Sequence, residues 1–357
     1  MPLKNLLMWI AVAVLLAAGV FLALRPLVSL REGRAPVKVI FDTDMLGDCD
    51  DAGAMALLHK LVDSGEAEIL AVVVNSDNTE KAVGAAVDVI NTYYGRPDIP
   101  LGAYHGTECK QMRGNYTVQL RDEFPHDAPS DDKLPSALTL YRKTLAEAAD
   151  GEVVIISVGF LFNLRDLLNS PADEISPLTG EELVRRKVKE LVLMGGQFPQ
   201  SDPKKGEFNF AWTQPLCAKD VMARWPTPVL LSGFEIGKEL ITGQPLAATP
   251  PANPVRRAYE LFRGNCLLKG RQSWDLTAVL AAVRDPQIYW TLSEPGTCMV
   301  SDIGTNTWLA DPSGKHRYLI RKVPVETMVQ LLNDFMVQPP LSGFPPAKPA
   351  ADAGGNR

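Results

Sequence analysis

At 357 residues and a formal net charge of −6, the chain is long enough for one large α/β domain or two small ones. Its 46% hydrophobic content is ample for a core. With no long Lys/Arg run it offers no phosphate footprint, which excludes an ordinary nucleic-acid binder.

The first element is an uncharged apolar stretch, Leu6–Leu24, between Lys4 and Arg25. That length can span a hydrocarbon core. No small-x-small cleavage site follows it. Residues 1–34 are therefore expected to be a membrane anchor or uncleaved signal segment plus linker. Arg25, Arg31, Arg34 and Lys38 follow the stretch, and the positive-inside rule read strictly would keep the rest in the cytoplasm. The short leader layout points to export instead, so an extracytoplasmic location is the expectation.

From Val37 strands alternate with helices. VKVIF reads as a buried strand and DAGAMALLHKLVDSG as a helix ending at Gly65. EILAVVV, DIPLGAY, EVVIISVG, VKELVLMGG and TPVLLSGF are further strands. Helices are expected in TEKAVGAAVDVINTYYG, SALTLYRKTLAEAADG, FLFNLRDLLNS and QPLCAKDVMARWP. Residues 105–135 read as one long polar loop. VRRKVK at 184–189, the densest basic cluster, reads as a solvated helix end leading into a strand. The last third carries NPVRRAYELF, SWDLTAVLAAV and VETMVQLLNDFM as helices, with NTWLADPSGKHRYLIRK as a hairpin turning at Pro312-Ser313-Gly314. This alternation implies βαβ units and an open, mostly parallel, mixed sheet flanked by helices, over residues 35–340. The Pro/Ala/Gly-rich tail 341–357 is expected to be disordered. Cys49, Cys109, Cys217, Cys266 and Cys298 form no C-x-x-C pair, and their odd number leaves at least one thiol free or paired between chains.

In such a sheet ligands bind beyond the carboxyl ends of the strands. The polar segments there are the aspartates after VKVIF, then NSDN, GFLFN, GGQF and GFEIG. FDTDMLGDCDD places Asp42, Asp44, Asp48, Asp50 and Asp51 within ten residues. Clustered carboxylates serve a hard cation with oxygen ligands or an acid/base pair with split pKa values. Helix capping accounts for one or two of them, not five. A calcium EF-hand loop is excluded because a strand precedes the cluster. A phosphatase of the haloacid-dehalogenase type shares Asp42 and Asp44 in DTDML, but Leu46 replaces its Thr or Val, and no matching later Lys and acidic pair is found.

DTDMLGDCDDAGAMAL resembles the N-terminal motif of the nucleoside hydrolases, the inosine/uridine-preferring ribohydrolase superfamily, in its longer DTDMxxDxDD form. EVVIISVGFLFNLRDLL, ELVLMGGQF, GEFNFAWTQPLCAKDVMARWPTPVLLSGFEIG and SWDLTAVLAAV resemble further family segments in the same order. The matches run from Val37 to Val283. The resemblance implies the Rossmann-like nucleoside hydrolase fold and a Ca2+ ion at the sheet's carboxyl edge. It implies hydrolysis of the N-glycosidic bond of a ribonucleoside or related ribosyl compound, through an oxocarbenium-like sugar. Asp44 would be metal ligand and general base, with Asp51, Asp275 and the Phe162 carbonyl as the other metal ligands. Asp50, Glu207, Asn209 and either Asn78 or Asn75 would hold the ribose. Trp274 stands where many purine-active members carry His; it has one N–H and no titratable proton, and it serves either as a base platform or as core packing. His59 reads as structural, whereas His105 or His126, flanking the long loop, would be the histidine to reach the base. The role of Asp48 is open, because two extra residues shift its register. The implied partners are a small-molecule ribosyl substrate and the membrane, with room for a homo-oligomer. The alternative is a metal- and ribose-binding protein without turnover.

Overall fold

The computed structural model describes residues 35–112, 116–212 and 214–341. The expected membrane anchor, and nearly all of the expected disordered tail, lie outside the described residues. Among the described residues no helix is long and apolar enough to cross a membrane.

Six parallel strands form the centre: β1 (Val37–Thr43), β2 (Ala67–Val74), β3 (Leu101–Ala103), β4 (Val153–Ser157), β5 (Val188–Met194) and β6 (Val229–Ser232). Near-continuous apolar strands need cover on both faces, and they have it. Val39 and Phe41 of β1 enter one core and Ile40 the other, as period-two alternation requires. The first core is built with α1 (Asp50–Asp63) and α2 (Val83–Tyr93), the second with α3 (Ala137–Glu147), α4 (Phe162–Asn169) and α5 (Pro215–Arg224). The C-terminal helices α6 (Asp275–Val283) and α7 (Val325–Met336) join the first.

The order 6-5-4-1-2-3 reverses between β4 and β1. A crevice opens at such a switch point, and the aspartate loop after β1 lies at its edge. Two glycines allow the close packing this needs. A Cβ at Gly53 of α1 would stand 2.6 Å from the Tyr259 hydroxyl, and one at Gly159 would stand 2.7 Å from the Asp44 backbone nitrogen.

Two expectations are corrected. Residues 306–321 do not form a hairpin. β10 (Gly296–Val300) lies between β11 (Asn306–Ala310) and β12 (His316–Arg321), pairing antiparallel with both, while β12 also joins β6 in parallel. β9 (Trp290–Leu292) pairs with β12, and a separate ribbon joins β7 (Ile241–Thr242) to β8 (Arg271–Gln272). The polar stretch 105–135 carries a short helix, Thr117–Glu123, and a 3-10 turn, Asp131–Lys133. The basic cluster ends a helix, Gly180–Lys187, whose capping box joins Thr179 and Glu182.

Candidate functional site

The five clustered aspartates divide among different tasks. Asp42, the penultimate residue of β1, turns into the protein and accepts bonds from Asn75 (2.6 Å), Tyr141 (2.7 Å) and Asn163 (3.1 Å). Burial pushes its carboxyl up to about 7, against those three donors. Asp48 binds the Arg271 guanidinium of β8, with Nε 2.8 Å from both carboxylate oxygens. That guanidinium lies 5.3 Å from the ring centres of both Phe262 and Trp274.

Asp44, Asp50 and Asp51 line a pocket of about 220 Å³ together with Asp275. Carboxylate oxygens of Asp50, Asp51 and Asp275 lie within 4.8 Å of one another. Burial first, then mutual repulsion, pushes all four well above the ordinary carboxylate range. Thr43 donates its hydroxyl to Asp51. Asp50 accepts the backbone N–H groups of Trp274 (2.9 Å) and Asp275 (3.3 Å), which ties α1 to the start of α6. Buried carboxylates this close together are the donor set of a hard cation, and the residues present fit one.

Glu207 and Asn209 line the same pocket. The Glu207 carboxylate accepts the N–H of Gly196 (3.1 Å) and of Asn209 (3.0 Å), and burial pushes it up to about 7. Asn209 donates its amide to the Met194 carbonyl (3.0 Å) and the Val158 carbonyl (3.3 Å), across the ends of β5 and β4. The diglycine turn thus meets the E-F-N stretch directly.

Trp274 is in the pocket wall, stacked on Phe234 at 5.4 Å and 23°, and its single N–H goes to the Phe234 carbonyl at 2.8 Å. It is both packed and presented to the pocket, with no proton to give. Asn78 does not line the pocket. It bonds Thr117 (3.2 Å) and caps Ala82 (3.1 Å). Asn75, the other candidate, spans Asp42 and the Phe160 N–H (2.9 Å). Phe162 opens α4 and buries its ring against Tyr104 and Phe160; Val158 of the same strand end is in the pocket wall instead. None of the four histidines lines the pocket. His59 is buried against Asn91 (3.0 Å), and His105 bonds the Asp131 carbonyl (3.2 Å).

Arg271, Arg263, Phe234 and Phe208 also line the pocket and were not singled out from sequence. GFEIG had placed Phe234 at a strand end, and Phe208 lies inside the family-resembling EFN stretch, but nothing local marks Arg271, whose partner is 223 residues away.

A model described as inosine-uridine preferring nucleoside hydrolase matches residues 39–331. No curated protein sequence gave a match. Among solved structures, a plant nucleoside hydrolase is 20% identical, covering 85% of this chain and 100% of its own, with a TM-score of 0.65. A purine-preferring ribonucleoside hydrolase from Gardnerella vaginalis is 19% identical, over 84% and 97%, with a TM-score of 0.64. The type III effector protein XopQ, complexed with adenosine diphosphate ribose, is 14% identical, over 87% and 97%, with a TM-score of 0.60. These structures share the fold, and the family match spans both the aspartate loop and α6: the chain belongs to the inosine-uridine preferring nucleoside hydrolase family.

Proposed function

We propose that the chain hydrolyses the N-glycosidic bond of a ribosyl compound, with calcium as its cofactor. One observation carries the reading: Asp44, Asp50, Asp51 and Asp275 share one buried pocket with Glu207 and Asn209. Asp50, Asp51 and Asp275, whose carboxylate oxygens converge, would hold the ion with Asp44 in the same pocket, and the Phe162 carbonyl expected from sequence is not in the pocket wall. When bound, calcium offsets the carboxylates' repulsion and makes a water more acidic. Asp44 would take the proton of the attacking water as the water's oxygen bonds the sugar carbon. The surrounding carboxylates favour the positive charge developing on the ring, while Glu207 and Asn209 orient its hydroxyls.

Asp44→Asn tests this. Turnover should fall by roughly 10²–10⁴, while equilibrium binding of a ribosyl ligand survives. Equal turnover in variant and wild type would sink the assignment of Asp44 as base.

A second reading is a ribosyl-binding protein without turnover. It is supported by the Trp274 N–H being consumed by Phe234 and by the adenosine diphosphate ribose complex of XopQ. Wild-type binding with no product from any substrate would select it. Membrane anchoring through residues 1–34, with the pocket extracytoplasmic, is proposed from the uncharged stretch alone. Release of the full chain from membranes by alkaline carbonate would refute the anchor.

A further inference from the structure

Beside the acidic pocket, and sharing Glu207, Phe208 and Phe234 with it, lies a wider cleft of about 500 Å³. Its wall carries two aromatic side chains that the fold leaves in solvent. Phe208 is 44% and Trp212 50% exposed, and they stack with ring centres 5.3 Å apart at 21°. Such contiguous exposed aromatic surface marks a binding site rather than packing. The same cleft presents Lys204 and Lys205. Both are exposed, and neither ammonium has an ion-pair partner among the described residues. Asp202, also in the cleft, accepts the Lys204 backbone N–H at 2.8 Å. Lys110 adds a further cation, 5.8 Å over the Trp212 ring.

The two chambers differ in charge: the cleft sets Lys204 and Lys205 against Asp202 and the shared Glu207, whereas the other pocket is strongly acidic. The acidic pocket has six carboxylates against two arginines, one of them tied to Asp48. It holds an aromatic wall at Trp274 and no histidine to protonate a leaving base. That combination suits a leaving ring that is already cationic. Such a ring is attracted by carboxylates and an aromatic face, and it departs neutral without an acid. The lysine-bearing cleft suits what the acidic pocket repels, namely phosphate, followed by an aromatic base. Its volume is that of a nucleotide-sized site.

We propose that the two chambers together take a dinucleotide whose N-ribosylated ring is cationic. This rests on reading the acidic pocket as the ribosyl site. The ribosyl group and its cationic ring occupy that pocket, the diphosphate lies on Lys204 and Lys205, and the second base lies on Phe208 and Trp212. The bond from C1′ to the ring nitrogen breaks, and its electron pair neutralises the ring. Water oxygen bonds C1′, and its proton passes to Asp44. The products are a neutral base and a nucleoside diphosphate ribose, with no co-reactant besides water.

The test compares three probes on the full chain with calcium: NAD+, nicotinamide riboside, which keeps only the cationic ring, and inosine, which has neither feature. Turnover should be faster for both nicotinamide compounds than for inosine. NAD+ should bind roughly tenfold tighter than the riboside, measured both as KM and by equilibrium tryptophan fluorescence. The Lys204→Ala/Lys205→Ala double variant should erase that advantage, and Lys189→Ala, at an exposed lysine elsewhere, should not. Inosine cleaved as fast as either nicotinamide compound overturns the proposal and leaves the hydrolase reading intact. So does NAD+ binding no tighter than the riboside, or a double variant that weakens both equally. Lysine-dependent NAD+ binding with no product from any probe overturns the hydrolase reading, and with it the cleavage step proposed here.

Discussion

Asp42 and Asp51 lie nine residues apart in one motif and do different things. Asp42 satisfies Asn75, Tyr141 and Asn163 in a closed buried network, whereas Asp51 faces the pocket beside Asp50 and Asp275. Asp42→Asn keeps the shape and loses one acceptor. It should cost about 1–2 kcal/mol of stability and leave calcium affinity unchanged, as urea unfolding and calcium titration calorimetry would show. Asp51→Asn should do the reverse, with a calcium affinity at least tenfold weaker. Equal effects of the two would refute the division. The motif made the cluster legible in sequence, but not this division. Which aspartate turns inward is decided by Asn75, Tyr141 and Asn163, 33 to 121 residues away, and such partners leave no local trace. Asp48 shows the same limit, since Arg271 comes from a ribbon of two-residue strands with no periodicity to read.

The elements themselves were legible where burial is symmetric. Apolar runs such as VVIIS in β4 admit one reading as central strands, and Gly-terminated amphipathic stretches gave the helices. The misread hairpin was a failure of pairing, not of strand identification. β11 and β12 are both strands, but β10 lies between them, and local alternation does not specify a partner. Two tests belong to this scale. The Glu66–Arg284 pair, at 2.7 and 2.8 Å and nearly inaccessible, ties the approach to β2 to the end of α6. Glu66→Gln leaves a buried guanidinium without its counter-charge and should cost about 3–5 kcal/mol in urea unfolding; a loss under about 1 kcal/mol would refute that. His316 of β12 accepts the Cys298 N–H on Nδ1 at 3.1 Å, and burial lowers its pKa to about 4. The unfolded chain, with its higher pKa, binds more protons between the ordinary histidine value and that one. The stability His316 contributes is therefore full above the ordinary value and is lost as pH falls towards 4. The stability difference between wild type and His316→Gln should shrink by roughly 1 kcal/mol between pH 7.5 and 5.5. A pH-independent difference would contradict this.

For the whole molecule the fold and the chemistry share one cause. The reversal of strand order between β4 and β1 opens the crevice, and α1 and α6 bring Asp50, Asp51 and Asp275 to it from opposite ends of the chain. Burial and mutual repulsion push these carboxyls and that of Asp44 up, and a bound cation would offset that repulsion. Calcium at a hundredfold over its dissociation constant should add about 2.7 kcal/mol of stability. Asp275→Asn should lose most of that gain, read as a smaller rise in Tm on adding calcium. The most direct test of the central claim is free ribose, or its phosphorylated equivalent, released by the purified protein from a panel of ribosyl compounds with calcium and with chelator. The account predicts release from at least one compound, abolished by chelator and restored by calcium. No release from any of them, by a protein that still binds calcium and a ribosyl ligand, would contradict it.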